Sequence, residues 1–428
     1  MKWKSKPYTA VSTTYDTLKS KVTISCKSQS IIISEAYGRV LYRDIFSRTN
    51  IPGFPSSHMD GFAVKAKNIK LASKTAPVAL KILQSVGLGK SPNQVLQSGQ
   101  AYRITTGGYL PYHSDTVVPI ELVRIVSENY VEIFKSLPKG SFVSATGTDV
   151  RIGTKIFRKG SILRAQDIAF LSKVNISKIV VFKKPTVAII PTGDELTDNM
   201  NETRTGKILN TNSHIISRVI TELGAMPTDM GITPDNIEKI QNKLKLALTN
   251  YDIIVTIGGS SIGEQDLIEE SVNSLGKPGI IAHGVKLDRG RVAGVGVIKG
   301  KPIIILPGPI QGALNAFIVF GQPLIRFLSG LPECSTKTMN GMLTGSWDAR
   351  PKFQSFLKIV YLQTSLSDEG CLNALPIQGE TSAISVMTRA NSYMIVPPHV
   401  AHIDEGKNIK VNFLPGISYS CGHFVDIL

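Results

Sequence analysis

The sequence predicts a multidomain α/β protein: a central α/β domain with a mostly parallel sheet, a β-rich domain inserted ahead of it, and a C-terminal β-domain. Three observations carry this. The chain has 428 residues, several times the roughly 150 of one domain. Between residues 185 and 330, short β-branched runs alternate with segments of helical period, as in a parallel sheet with crossover helices. On either side of that region, short apolar runs are broken by turn residues and few helical stripes occur. The chain therefore divides into residues 11–50 with 139–184, an inserted β-rich 51–138, the α/β domain 185–330 and the β-domain 331–428.

Taken in order, residues 34–48 and 165–174 read as helices, and 51–138 as short strands. The first α/β strand is 186–190. Ile215, Ile216, Val219, Ile220 and Leu223 then recur at helical spacing up to Gly224, a C-terminal cap. A second helix is expected to open at Thr233-Pro234, with Ile237, Ile240, Leu244 and Leu248 on one face. Residues 252–257 form a buried strand that runs into Gly258-Gly259-Ser260-Ser261-Ile262-Gly263 and a helix over 264–275. The hairpin 295–306 leads into Pro307-Gly308. Beyond Gly330, Trp347, the alternation over 353–362 and the run 393–398 read as strands.

Composition narrows the function. With 42% hydrophobic and 19% charged residues, the chain is globular, which excludes a disordered or fibrous protein. The 48 Lys+Arg against 32 Asp+Glu give a net charge of +16, which favours anionic ligands. No run of consecutive basic residues forms an arm or an anchor, so nucleic acid and membrane surfaces are not the expected partners. Cys26, Cys334, Cys371 and Cys421 are far apart, without CxxC or HExxH. Neither a disulfide lattice nor structural zinc is signalled, and free thiols suit a reducing cytoplasm. The first ten residues lack the apolar stretch of a signal peptide, and 313–328, the richest apolar run, is broken by polar residues.

A strand, a turn of glycines and serines, and a helix start make a phosphate cradle: backbone N–H groups point outward, and small residues permit close approach. The turn has no lysine, so it is not a Walker A loop. Gly259, Ser261 and Gly263 also satisfy G-x-S-x-G, but no HGGG-type oxyanion segment precedes them, so a serine hydrolase is the weaker reading. In open parallel sheets ligands bind at the carboxyl ends of the strands. There Pro191-Thr192-Gly193-Asp194-Glu195-Leu196 follows the first strand and Asp266 follows the cradle. Carboxylates beside a phosphate site suit Mg²⁺, which takes one or two carboxylates together with phosphate oxygens and water.

These segments resemble one family. Ser57-His58-Met59-Asp60-Gly61-Phe62-Ala63-Val64 is similar to the S-x-M-D-G-Y-A-V signature of the MoeA and gephyrin E-domain family, the molybdopterin molybdenumtransferases. Residues 103–121 (RITTGGYLPYHSDTVVPIE) resemble the family's R-I-x-T-G-x-x-L-P-x-x-x-D-x-V-V-P-x-E. Residues 191–196 resemble its T-G-D-E-L, and 257–266 its G-G-V-S-V-G-x-x-D. Asn210-Thr211-Asn212 and 231–235 also stand where similar segments occur, so the resemblance runs over about residues 30 to 400.

The resemblance implies insertion of molybdate, or tungstate, into adenylylated molybdopterin, with Mg²⁺-dependent anhydride cleavage and release of AMP. Carried over, Glu195 and Asp266 are the metal and cleavage carboxylates, and Asp60, Thr106 and Asp235 fall at or near the active site. Thr192, Gly258, Gly259, Ser260, Ser261 and Gly263 hold the pterin phosphate, and Arg289, Arg291, Pro307, Gly308 and Ser385 complete the pocket. The family's elongated homodimer supplies Asp60 from the partner subunit. Residues 11–50 with 139–184 would be its linker and dimerisation domain. This chain departs from the pattern in the segments expected to hold the oxyanion. K-P-G-K-P becomes Asp288-Arg289-Gly290-Arg291-Val292, and P-G-N-P-V-S-A becomes Pro307-Gly308-Pro309-Ile310-Gln311-Gly312-Ala313. In addition, G-S-G-x-x-S-S becomes Glu380-Thr381-Ser382-Ala383-Ile384-Ser385-Val386. The alternative is accordingly a paralogue that binds molybdopterin as a carrier or regulator without inserting metal.

Overall fold

A computed structural model describes residues 7–83, 94–259, 266–333, 338–367 and 369–414. The chain forms two compact units, 30–181 and 1–29 with 182–428. Helix α1 (Val11–Lys21) belongs to the second unit: Leu18 is fully buried in its core, and the Thr9 amide donates to the Gly284 carbonyl at 3.1 Å.

In the unit 30–181, six strands form a mixed sheet: β1 (Gly61–Val64), β2 (Val78–Leu83), β3 (Gln100–Ile104), β4 (Thr116–Pro119), β5 (Val123–Ser127) and β6 (Tyr130–Ile133), in the order β4-β1-β3-β2-β6-β5. Successive side chains point to opposite faces. Phe62 and Val64 accordingly join one apolar cluster with Leu80 and Val131, and Ala63 joins another with Tyr102 and Val117. Helix α2 (Ala165–Lys173) packs Leu171 with Leu41, Ile51 and Leu163 in a separate core.

Residues 34–48, expected as a helix, are not one. A single 3-10 turn (Ile33–Glu35) gives way to extended backbone in which Val40 bridges Ile162 and Leu41 bridges Val181. Ile45–Phe46 then pairs with Lys155–Phe157. Apolar spacing at Ala36, Val40 and Leu41 suits burial in either state, and backbone partners from over a hundred residues downstream decide for pairing.

The other unit is built on β7 (Thr186–Pro191), β8 (Met226–Asp229), β9 (Ile253–Ile257), β10 (Pro278–His283), β11 (Gly294–Ile298) and β12 (Lys301–Leu306), in the order β8-β7-β9-β12-β11-β10. The four strands β8, β7, β9 and β12 run parallel, and the β11–β10 edge is antiparallel. Alternation buries both faces. Val187, Ile189, Ile253 and Val255 pack with Ile216 and Ile220 of α3 (Thr211–Glu222), while Ala188, Ile190 and Ile254 face α4 (Ile237–Asn250) and α5 (Leu267–Ser274). Helix α4 does not open at Thr233-Pro234. Asn236 caps it, accepting from the Lys239 amide at 3.0 Å, because Thr233 is held instead by a parallel bridge to Thr192. Helix α6 (Ile310–Ala316) follows β12 and continues through a π-helical turn into α7 (Gln322–Leu328).

Strands β13 (Thr338–Leu343), β14 (Lys358–Leu366), β15 (Leu372–Pro376), β16 (Ser392–Val396) and β17 (Asn408–Phe413) close a barrel in the order β13-β15-β14-β16-β17, with α8 (Ile384–Arg389) on the β15–β16 connection. Its core holds Trp347, Val360, Leu362, Met394 and Val411. Lys358 opens β14 yet is only 1% exposed. Its ammonium donates to the carbonyls of Gln354 (2.7 Å), Pro397 (3.2 Å), Pro398 (3.2 Å) and Val400 (2.8 Å). No described helix is long and apolar enough to cross a membrane.

Candidate active site

The carboxyl ends of β7, β9 and β12 open into one cavity of about 540 Å³. Thr192 and Glu195 reach it from the first strand, Gly258 from the second and Gly308 from the third, with Asn210 and Asn212 at the start of α3. Ser382 and Ile384 of the barrel's β15–β16 connection close one side, whereas Ser385, the serine singled out from the sequence, is exposed one residue into α8. Pro307 is buried behind Gly308, whose carbonyl accepts from Asn212 Nδ2 at 2.5 Å.

Only glycine fits the start of the cradle. Gly258 and Gly259 have φ of +86° and +61°, and a Cβ on them would meet the Thr192 carbonyl oxygen at 2.4 Å and Thr192 Oγ1 at 2.5 Å. Thr192 is itself fully buried, its amide donating to the Ile257 carbonyl at 2.8 Å. The β7 and β9 loops are thus in contact through backbone. Ser260, Ser261 and Gly263 lie outside the described residues.

The carboxylates fall into two groups. Asp194 and Asp235 face each other through reciprocal bonds: the Asp194 amide donates to Asp235 Oδ2 at 3.4 Å and the Asp235 amide to Asp194 Oδ1 at 3.2 Å. Burial, and then the Glu195 and Asp194 charges, push the Asp235 carboxyl above its ordinary range against the Asp194 amide. Asp266 stands in the second group. It is the N-cap of α5, accepting from the Glu269 amide at 2.8 Å, and its Oδ2 lies 3.3 Å from His283 Nε2. The other ring nitrogen of His283 is 2.9 Å from Glu269 Oε2. Glu195, expected with Asp266 as a metal ligand, adds its charge to that on Asp235.

Like charges crowded on Asp235 are what a cation would relieve, and all-oxygen donors suit a hard divalent ion. Among the described residues no three His, Cys, Asp or Glu side chains form an ion cage. The donor set fits Mg²⁺ held by few carboxylates, not a closed metal centre. The strain on Asp235 has a testable sign. A carboxyl raised by folding costs stability when ionised, and that cost fades as pH falls through its folded pKa and is gone below the ordinary value of about 3.9. Asp235→Asn should therefore melt higher than the parent at pH 7.5, with the gain shrinking toward pH 4. A constant or negative difference in melting temperature across that range would refute the assignment.

Arg289 is linked to the cavity wall through Gln311. Arg289, at φ +54°, donates to Gln311 Oε1. Gln311 is fully buried at the start of α6, and its Nε2 donates to the carbonyls of Glu380 (2.5 Å) and Ala383 (3.2 Å). Burial lowers the Arg289 pKa, with Arg350 acting as a nearby like charge. Arg291 is exposed, its guanidinium 5.8 Å from the centre of the Phe353 ring.

Asp60 and Thr106 belong to the other unit, where they meet each other. Asp60 Oδ1 accepts from the Thr106 amide (2.6 Å) and hydroxyl (2.8 Å), and these bonds hold its carboxyl below the ordinary range. The turn before Asp60 is fixed by Ser57, whose Oγ donates to the Met59 carbonyl at 2.5 Å.

Sequence reasoning missed His283, Gln311 and Ser382. A histidine ending an apolar strand and a glutamine opening an apolar helix carry no local signal. Ser382 was legible only as a near neighbour of Ser385.

Comparison with known proteins gives the chain its context. Residues 9–174 match the MoeA N-terminal region (domain I and II), 188–326 a probable molybdopterin binding domain, and 340–414 the MoeA C-terminal region (domain IV). A molybdopterin molybdenumtransferase from a Nostoc species is 31% identical over 336 residues, 76% of this chain and 77% of that protein. One from Staphylococcus epidermidis is 28% identical over 389 residues, 91% of each chain. The crystal structure of a molybdopterin biosynthesis MoeA protein from Pyrococcus horikosii aligns with a TM-score of 0.84 at 29% identity, covering 95% of this chain and 99% of that one. With its signature segments, its three matched regions and relatives of this extent, the chain belongs to the MoeA family of molybdopterin molybdenumtransferases.

Proposed function

We propose that the protein inserts molybdate or tungstate into adenylylated molybdopterin and releases AMP with Mg²⁺. The observation that carries this reading is the shared cavity at the ends of β7, β9 and β12, where a glycine turn, Glu195 and the Gly308 loop converge. The glycine turn lets a phosphate approach the backbone at close range. Asn212 braces the Gly308 loop on the opposite wall. Arg289 and Arg291 offer planar donors to an oxyanion. Glu195 and Asp266 would hold Mg²⁺, which supplies charge neutralisation at the phosphoric anhydride. Ile208, Ile310 and Ile384 give the cavity an apolar wall.

The test is AMP release from adenylylated molybdopterin with Mg²⁺ while molybdate and tungstate are titrated in parallel. Oxyanion-stimulated release is expected. Tight binding of the nucleotide with no AMP from either oxyanion would replace the transferase with the carrier reading. The working form is a homodimer in which Asp60 and Thr106 of one subunit complete the site of the other. Mixing Asp60→Asn with Asp266→Ala protein should then restore part of the activity each lacks, and no recovery after verified subunit exchange would rule the shared site out. The compartment is the cytoplasm, in keeping with the free thiol of Cys371.

A further inference from the structure

Asp288 replaces a lysine of the resembling segment, and it is not a solvated surface charge. It is 9% exposed. Its backbone is held on both sides, the amide donating to the Leu357 carbonyl at 2.8 Å and the carbonyl accepting from Asn315 Nδ2 at 3.3 Å. Asn315 is fixed in turn by the Tyr361 hydroxyl at 2.8 Å, and both residues are buried. From this anchored position the Asp288 carboxylate forms an ion pair with Arg350. The Arg350 guanidinium also lies 4.5 Å from the centre of the Phe353 ring, the ring that Arg291 approaches from 5.8 Å. Arg289, adjacent in the chain, feels both Arg350 and Asp288.

Arg350 thus pairs with the carboxylate while Arg289 feels its charge, and Arg289 is joined to the cavity. Arg289 bonds to Gln311, and Gln311 holds the carbonyls of Glu380 and Ala383, which flank the cavity-lining Ser382. A carboxylate and a tetrahedral oxyanion present the same planar-fork acceptor to a guanidinium, so they compete for it. We propose that Asp288 is a built-in counter-ion, so that a tetrahedral oxyanion engages Arg350 and its neighbours only by displacing the Asp288 carboxylate. This rests on the transferase reading and deepens it: Asp288 sets the oxyanion affinity of this chain.

The full chain is titrated calorimetrically with molybdate, tungstate and sulfate, each alone and without pterin. Asp288→Asn should bind all three at least tenfold more tightly than the parent, and Asp288→Glu should bind them about as the parent does. Asp288→Lys, expected to change in the same direction, serves if the asparagine variant does not fold, with thermal melts checking each protein. Adding Arg350→Gln to Asp288→Asn should abolish the gain. The proposal is overturned if Asp288→Asn and Asp288→Lys bind no more tightly than the parent, or if the gain survives Arg350→Gln. Because no pterin is present, failure of AMP release would remove the transferase reading and leave this result standing, and the reverse also holds.

Discussion

Asp266→Ala should lower AMP release by roughly a hundred- to a thousandfold, the loss expected when one preorganised charge-stabilising group is removed from a reaction centre, about 2.7–4 kcal/mol in the barrier. It should also lower stability, because Asp266 caps α5 and removing a side-chain N-cap costs about 1 kcal/mol. These effects are separable. Asparagine caps as well as aspartate, so Asp266→Asn should keep the parent's melting temperature and still lose most of the turnover. Normal AMP release by both variants would remove Asp266 from the reaction. Normal release by the asparagine variant alone would reduce its role to holding α5 in place. His283 gives a further reason to expect a large effect, since it lies beside Asp266 and Glu269 with a side chain only 6% exposed.

Lys358→Met should destabilise the barrel by about 1–3 kcal/mol, the scale for leaving a polar group without its hydrogen-bond partner. Methionine matches the length of the stem, so lost packing contributes little. The cost comes from the four carbonyls that lose their shared donor. Burial also holds the Lys358 ammonium below the ordinary lysine range, partly opposed by the Asp288 charge. Urea unfolding followed by the fluorescence of Trp347, which packs in the barrel core, measures the change. A shift below 1 kcal/mol would mean that the carbonyls find water instead. Asp288 and Lys358 lie on either side of Leu357, and this is one reason to read the oxyanion experiments only on variants shown to fold.

The elements that carry the cavity were legible because their signals are local. In β7, β9 and β12, β-branched residues recur along short runs that end at glycine or proline, and burial on both faces makes those runs continuously apolar. The glycines of the cradle and the acidic run at 194–195 follow such strands directly, so their place at the carboxyl edge came from topology. Residues 34–48 were not legible as extended backbone, since the segments they pair with begin at Lys155 and end at Val181. Thr233-Pro234 has the composition of a helix start, but its bridge to Thr192 is invisible until β7 and β9 are side by side. Lys358 opens an alternating strand and reads as an outward-facing charge, and nothing local shows that the 397–400 turn folds over it. Asp288 could be seen as a departure from the family, but its ion pair depends on Arg350 in a later domain.

The early position of α1 has a consequence for synthesis. Its anchor to Gly284 spans 275 residues, so at about 5–20 residues per second α1 waits roughly 14 to 55 s for its packing surface to leave the ribosome. During that interval Leu18 and the flanking apolar residues have no core to enter. The intervening unit 30–181 contains its own sheet and cores and can condense first. The nascent chain is thus an early-folded module trailing an unpaired amphipathic segment, and its period of greatest exposure to chaperones or aggregation ends when β10–β12 emerge.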